Sequence, residues 1–275
     1  MTKPLRNPVV LVDADVICYQ MAYGNTTTAK WENDDGTVSE TVHVQPEVAI
    51  AKIRDFLRGM EEQFKASEVI VALTHRSSNF RKELDPTYKS KRLPKPVLWE
   101  TTRDFLEHGD HGYEVKLAPR LEGDDVLGIL QTRGGGGNRM IVSIDKDMQT
   151  VPGHLFLWNK PKLGTRYITP VEAGRFHLWQ TLVGDPTDNY PGLPMCGETK
   201  ATEILDGITD AKQAWDAVVY HYERKDRSPK SKAKSPPLTE ADALLQARLA
   251  FILHDGYYNE QTHKVKLWKP PESWD

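Results

Sequence analysis

Acidic residues fall in tight groups along this chain: Asp13 with Asp15, Glu122 with Asp124 and Asp125, Asp145 with Asp147, and Asp185 with Asp188. Asp13 follows the apolar run Val9-Val10-Leu11-Val12 directly, and Asp145 follows Met140-Ile141-Val142-Ser143-Ile144. Glu122 and Asp125 stand three apart at a helix start, hence on one face. Carboxylates gathered in one pocket repel, and their pKa values rise unless cations neutralise them. Hard divalent ions with oxygen ligands do that, and Mg²⁺ keeps most of its waters while taking few carboxylates directly. A pair of such ions suits phosphodiester cleavage, one activating water and the other steadying the leaving oxygen. Taken singly, each acid also reads as an N-cap or a surface group. Their common placement at strand ends favours the metal reading.

Several elements must position these groups. Val9–Val12, Val69–Leu73, Glu114–Leu117 and Met140–Ile144 read as strands, rich in β-branched residues and buried. Residues 46–64 carry helical spacing from Pro46 onward, and residues 126–130 form a helix closed by Gly134-Gly135-Gly136-Gly137. Leu155–Trp158 and Arg166–Ile168 predict a hairpin. Strands alternating with helices imply an α/β domain with a mainly parallel central sheet flanked by helices. Beyond residue 170 helical signals take over, with Gly/Pro turns at 184–197 and a last helix near 239–253. This divides the chain into an α/β part, 1–170, and a helical part, 171–275.

The 275 residues carry 36 Lys+Arg against 39 Asp+Glu, a net charge of −3, with 39% hydrophobic and 27% charged residues. That composition suits a soluble globular enzyme and excludes a disordered chain. No apolar run reaches the roughly 20 residues of a membrane span. The first eight residues lack the apolar stretch of a secretory signal. Two cysteines, Cys18 and Cys196, provide no disulfide framework, so a cytoplasmic protein is expected. The modest total hides two basic stretches. Residues 76–95 hold Arg76, Arg81, Lys82, Lys89, Lys91, Arg92 and Lys95 against Glu83 and Asp85, and residues 224–237 form a Lys/Ser/Pro-rich loop. Basic and acidic clusters in alternation suit a protein that holds a polyanion with one part and metal ions with another.

Five motifs occur in register: Phe80-Arg81-Lys82-Glu83-Leu84; Tyr88-Lys89-Ser90-Lys91-Arg92; Leu121-Glu122-Gly123-Asp124-Asp125-Val126; Ile144-Asp145-Lys146-Asp147; and Gly184-Asp185-Pro186-Thr187-Asp188-Asn189-Tyr190-Pro191-Gly192. Together they resemble the flap endonuclease/5′-exonuclease superfamily, and most closely the exonucleases of podovirus-type phages. The resemblance runs from Val10 to near Trp268. It implies a PIN-like or resolvase-like nuclease core with a helical arch over residues 80–95, and a helix-three-turn-helix over residues 184–205 that binds duplex DNA. It also implies two or more Mg²⁺ or Mn²⁺ ions on Asp13, Glu122, Asp124, Asp125, Asp145, Asp147, Asp185 and Asp188, and a K⁺ ion at the helix-three-turn-helix. Lys89, Arg92 and Arg81 are implied to act on the scissile phosphate. Tyr88 is implied to stack near the terminal base, and Lys91, Gly192, Gly197, Thr199 and Lys200 to contact DNA. The residues themselves accord with this: Arg and Lys neutralise charge developing on phosphate, and an aromatic can stack a base.

The implied activity is a 5′-3′ exonuclease on duplex DNA, with flap and RNA-primer cleavage, acting as a monomer in phage DNA replication. Two departures stand out. The family has an Asp near Leu73-Thr74-His75, where this chain offers His75, a replaced ligand poorly suited to Mg²⁺. Met195-Cys196-Gly197 lacks the first glycine of the Gly-x-Gly turn that holds the K⁺. Two alternatives stay open: a haloacid dehalogenase-type phosphohydrolase using Asp13 of Asp13-Ala14-Asp15 as nucleophile, and a non-catalytic DNA-binding protein on the nuclease fold.

Overall fold

The structure, a computed structural model, describes residues 5–77, 79–223 and 238–274. The basic loop 224–237 therefore lies outside the described residues.

The chain opens with β1 (Val9–Asp13) and α1 (Ala14–Gly24), then a hairpin of β2 (Thr26–Glu32) and β3 (Val38–Val44). Next come α2 (Pro46–Phe64), β4 (Glu68–Ala72), the short α3 (Phe80–Leu84), α4 (Trp99–His108), β5 (Glu114–Lys116) and α5 (Gly123–Thr132). After β6 (Arg139–Ser143), β7 (Gly153–Leu157) and β8 (Thr165–Ile168), the chain is helical: α6 (Pro170–Val183), α7 (Glu198–Leu205), α8 (Ala211–Glu223) and α9 (Glu240–Ala250).

Six strands make one sheet in the order β5-β4-β1-β6-β7-β8, all parallel except β8, which closes an antiparallel hairpin with β7. β1 runs between β4 and β6, so its apolar side chains are buried on both faces; Val10, Leu11 and Val12 are fully enclosed. One face packs on α1, α2 and α4 through Ile17, Ile53, Leu57 and Leu106. The other packs on α5 and on the C-terminal helices, in a cluster running from Leu11 and Leu127 through Leu178 and Leu182 to Trp215. That cluster crosses residue 170 without interruption, joining the α/β and helical parts. The chain leaves β1 toward β4 and β5, then returns to pair β6 on the opposite edge of β1. Ligand crevices of open α/β sheets lie at such a reversal, beyond the carboxyl ends of the strands.

One expectation changes, and one element was not anticipated. The arch over residues 80–95 is helical only at Phe80–Leu84; turns and extended chain follow, because Pro86, Pro94 and Pro96 interrupt any helix. The β2–β3 hairpin, mostly exposed, carries no clear strand pattern in sequence, since neither face is buried against the core.

Candidate active site

Asp13 ends β1 and caps α1, accepting from Val16 N–H at 3.4 Å. Its other oxygen accepts from the Ser143 hydroxyl at 2.6 Å, at the end of the adjacent β6. The same hydroxyl accepts from Asp145 N–H at 2.9 Å, and Asp145 in turn accepts from Asp147 N–H at 2.8 Å. One buried serine thus ties Asp13 and Asp145 together across the ends of two neighbouring strands, and Asp145 in turn holds Asp147. Nothing in the sequence singles it out beyond its place before Ile144-Asp145.

The helix α5 brings the next group. Asp124 lies in its first turn, and Gly123 lets the helix start press against the end of β4: its N–H donates to Thr74 Oγ1 at 2.9 Å, while a Cβ there would meet Asp15 Oδ2 at 2.9 Å. Burial, then the neighbouring Asp15 and Asp145, push Asp13 up to about 7. Burial, then Asp145, push Asp147 up to about 7. Burial and the charges of Asp13 and Asp145 raise Asp124 as well, and burial raises Asp145. Like charge adds to burial at each of these four, the neighbouring acid being Asp188 for Asp145, whereas Glu122 and Asp125, expected in the same repelling set, are ion-paired with Arg81.

Glu122 and Asp188 form a second, charge-compensated group. Lys89 Nζ bonds Glu122 and lies 3.5 Å from Asp188, while Arg92 donates to Asp188. Although burial opposes it, Lys89 and Arg81 bring Glu122 down to about 2. Lys89 sits in the left-handed region, φ 57°, and its N–H donates to Asp188 O at 2.8 Å, joining the basic segment to the 185–190 turn. Asp185 turns inward on its own loop, accepting from Thr187 N–H at 2.7 Å.

Several site expectations are corrected. Arg81 is fully buried and grips no exposed group: it donates to both oxygens of Asp125 at 2.7 and 2.8 Å, to Glu122 at 3.1 Å, and to the carbonyls of Leu249 and Phe251. Asp125 is equally enclosed and also accepts from Leu253 N–H and Glu122 N–H, so it is a structural anion and not an ion ligand. Tyr88 is buried, its hydroxyl donating to Glu122 and Asp188, and cannot stack a base. Gly192 is buried with its N–H on Gln246 Oε1 at 2.9 Å, which removes that amide from DNA contact. His75 Nδ1 accepts from Ser77 N–H at 3.0 Å, so the imidazole faces its own loop through that nitrogen. Lys91, Gly197, Thr199 and Lys200 are exposed, the last three at the start of α7.

Sequence reading also missed Arg103. This buried guanidinium on α4 donates to Asp15 Oδ1 at 3.0 Å and to Thr74 O, while Asp15 Oδ2 accepts from Thr74 N–H at 2.7 Å. It pins the ends of β1 and β4 together beside Asp13.

Does this donor set suit a divalent ion? Asp147 Oδ1 is buried without a hydrogen-bond partner among the described residues, with Lys146 Nζ 3.8 Å away. An orphaned carboxylate oxygen inside a cluster with elevated pKa values is a strong acceptor for a cation. Among the described residues, no three His, Cys, Asp or Glu side chains converge on one point. Mg²⁺ commonly takes only one or two carboxylates directly, and Asp147 Oδ1 is the acceptor these residues would offer it.

Residues 8–173 match the 5′-3′ exonuclease, N-terminal resolvase-like domain family. The chain belongs to the 5′-3′ exonuclease family. The Exonuclease of Escherichia phage T7 is 31% identical to it over 95% of this chain and 93% of that protein. The Exodeoxyribonuclease of Enterobacteria phage T3 is 29% identical, with the same coverage. In fold, the 5′-3′ exonuclease resembles the bacteriophage T5 D15 flap endonuclease, solved with DNA and metal ions, at a TM-score of 0.61 and 14% identity over 88% of each chain. The T5 5′-exonuclease with bound zinc gives 0.60 at 14% identity over the same share of each. The exonuclease is an enzyme that hydrolyses phosphodiester bonds, which sets aside both the phosphohydrolase and the non-catalytic alternatives.

Proposed function

We propose that this exonuclease degrades duplex DNA from 5′ ends by a two-metal-ion mechanism, with cleavage of 5′ flaps and RNA primers as related activities. The observation that carries the reading is the cluster of Asp13, Asp124, Asp145 and Asp147, elevated in pKa by burial and mutual repulsion, with an orphaned oxygen on Asp147. Asp13, Asp124, Asp145 and Asp147 would hold Mg²⁺ or Mn²⁺, which would contribute activation of water and charge neutralisation at the leaving oxygen. Asp185, whose charge reaches Asp147, would add to the negative potential that draws such ions in.

The chain's own residues do the rest. Ser143 keeps Asp13 and Asp145 in register across two strands. Lys89 and Arg92, held ready by Glu122 and Asp188, turn to the scissile phosphate and neutralise the charge that develops on it. Lys91 and the exposed start of α7, with Gly197, Thr199 and Lys200, take the phosphates of the duplex part, and a K⁺ ion there is compatible with the unhindered turn. The T5 enzyme, solved with DNA, supports DNA as the substrate class. We further read the protein as a monomer acting in the cytoplasm of an infected host, in phage DNA replication; its relatives support the phage setting.

The test is release of short products from 5′-labelled linear duplex, with Mg²⁺ or with EDTA. Asp13→Asn and Asp145→Asn should each lower the Mg²⁺-dependent rate by about 10²-fold or more while the fold is retained. Full rates in both variants would overturn the mechanism.

A further inference from the structure

Val38, Val42 and Val44 hold their side chains out in water on β3, Val38 with 68% of its surface exposed. The hairpin that carries them pairs with no further strand among the described residues. It begins at the far end of α1, after about 16 Å of helix from Asp13. A two-stranded hairpin alone is marginal in water, so an unpartnered one gains from a third element.

The ladder decides which backbone groups are open. At one end Gln45 N–H donates to Asn25 O at 3.0 Å, and at the other Asn33 N–H donates to Thr37 O at 2.8 Å. Between them Thr26 stands opposite Val44 and Glu32 opposite Val38. Opposed residues of an antiparallel pair alternate between those that exchange hydrogen bonds and those whose groups point away. The odd-numbered residues of β3 therefore bond β2, while Val38, Glu40, Val42 and Val44 turn N–H and C=O to the free edge. Among the described residues nothing meets those groups. The period of two puts the four side chains on one face as well. The edge of β2 is open too, but there the outward residues are Thr26, Thr28, Lys30 and Glu32, with little apolar surface to cover.

Charge selects the occupant. Residues 26–44 carry Lys30 against Glu32, Asp34, Asp35 and Glu40, a net charge of −3, and Lys30 is already paired with Glu40 at 2.8 Å. Such a surface repels phosphates, and a second copy laid against it sets like charges together. We propose that the β3 edge accepts an extended segment of a partner protein as a third strand, with apolar side chains against Val42 and Val44 and Lys or Arg beside Glu40 and the acidic tip. Main-chain hydrogen bonds along the edge hold the segment, and its alternate side chains give selectivity. This docking goes beyond the nuclease chemistry and needs neither metal nor DNA.

The experiment follows amide hydrogen exchange of the full chain, residue by residue, with and without about 1 mM of a peptide that alternates lysine with valine. Val38, Glu40, Val42 and Val44 should slow by about tenfold or more, while Thr26, Thr28, Lys30 and Glu32 keep their rates. Glu40→Lys and Val42→Asp should each abolish the slowing. Both positions are exposed, so the melting temperature should stay at the wild-type value. A peptide with glutamate in place of lysine should leave the edge unprotected. No slowing with the basic peptide, equal slowing along β2, or slowing that survives both substitutions would overturn the proposal. So would protection that grows with protein concentration without peptide, the mark of a second copy, or protection by a short DNA duplex. No cleavage enters the readout, so failure of the 5′-nuclease reading leaves this result standing.

Discussion

At the scale of single residues, the site rests on carboxylates at strand ends and on buried cations drawn from distant parts of the chain. Asp13 and Asp145 follow buried apolar runs, and a parallel sheet leaves such residues one place to go, the open carboxyl edge. The role of Arg81 depends on Asp125, 44 residues away, and on carbonyls 168 and 170 residues away, so no local pattern encodes it. Tyr88 misled for the same reason: an aromatic among cations looks like a base platform until Glu122 and Asp188 claim its hydroxyl. The buried ion pair yields a clear expectation. Arg81→Met removes the charge but keeps the volume, leaving Asp125 enclosed and uncompensated, and should cost about 3–5 kcal/mol in urea denaturation. Arg81→Met with Asp125→Leu should recover most of that loss. A role on phosphate predicts the opposite pattern, a slower enzyme with unchanged stability.

Among the elements, the sheet and α2, α5 and α6 follow from periodicity and caps, such as Thr169 and Glu172 closing a capping box at the start of α6. The arch fell short of its expected helix because three prolines within residues 86–96 forbid one. The turn between α6 and α7 shows what a family motif hides. Gly184 and Gly192 face each other across it, both with positive φ, at 73° and 63°, and a Cβ on Gly184 would lie 2.4 Å from Gly192 N. Asp185 and Tyr190 pair through both backbone hydrogen bonds just beyond. Close packing, more than freedom to approach phosphate, accounts for these glycines. Gly184→Ala should therefore cost about 1–3 kcal/mol and displace Asp185 and Asp188. Thermal melting would report the first effect, and weakened Mn²⁺ binding by calorimetry the second.

For the molecule as a whole, the elevated carboxylates couple stability to pH and to metal. Asp13 and Asp147, raised to about 7 in the folded chain, favour folding when protonated, and that contribution is lost as pH rises through about 7. His177 and His254, lowered to about 4 by burial, act in the opposite sense, but only below their ordinary 6.5. Between about pH 6.5 and 8 the carboxylates therefore dominate, and in EDTA the melting temperature should fall as pH rises. Mg²⁺ competes with those protons, so the rise in melting temperature that it produces should be larger at pH 8 than at pH 6. An increment independent of pH would separate the cluster from the ion. The Arg81 hub has one more consequence, in the order of synthesis. Its guanidinium and Asp125 are complete only when the carbonyls of Leu249 and Phe251 and the N–H of Leu253 arrive, at and just after the last turn of α9. A nascent polypeptide stalled before residue 249 holds every carboxylate of the cluster yet lacks the buttress behind Glu122. A chain without these residues leaves the buried Arg81–Asp125 pair short of three backbone partners.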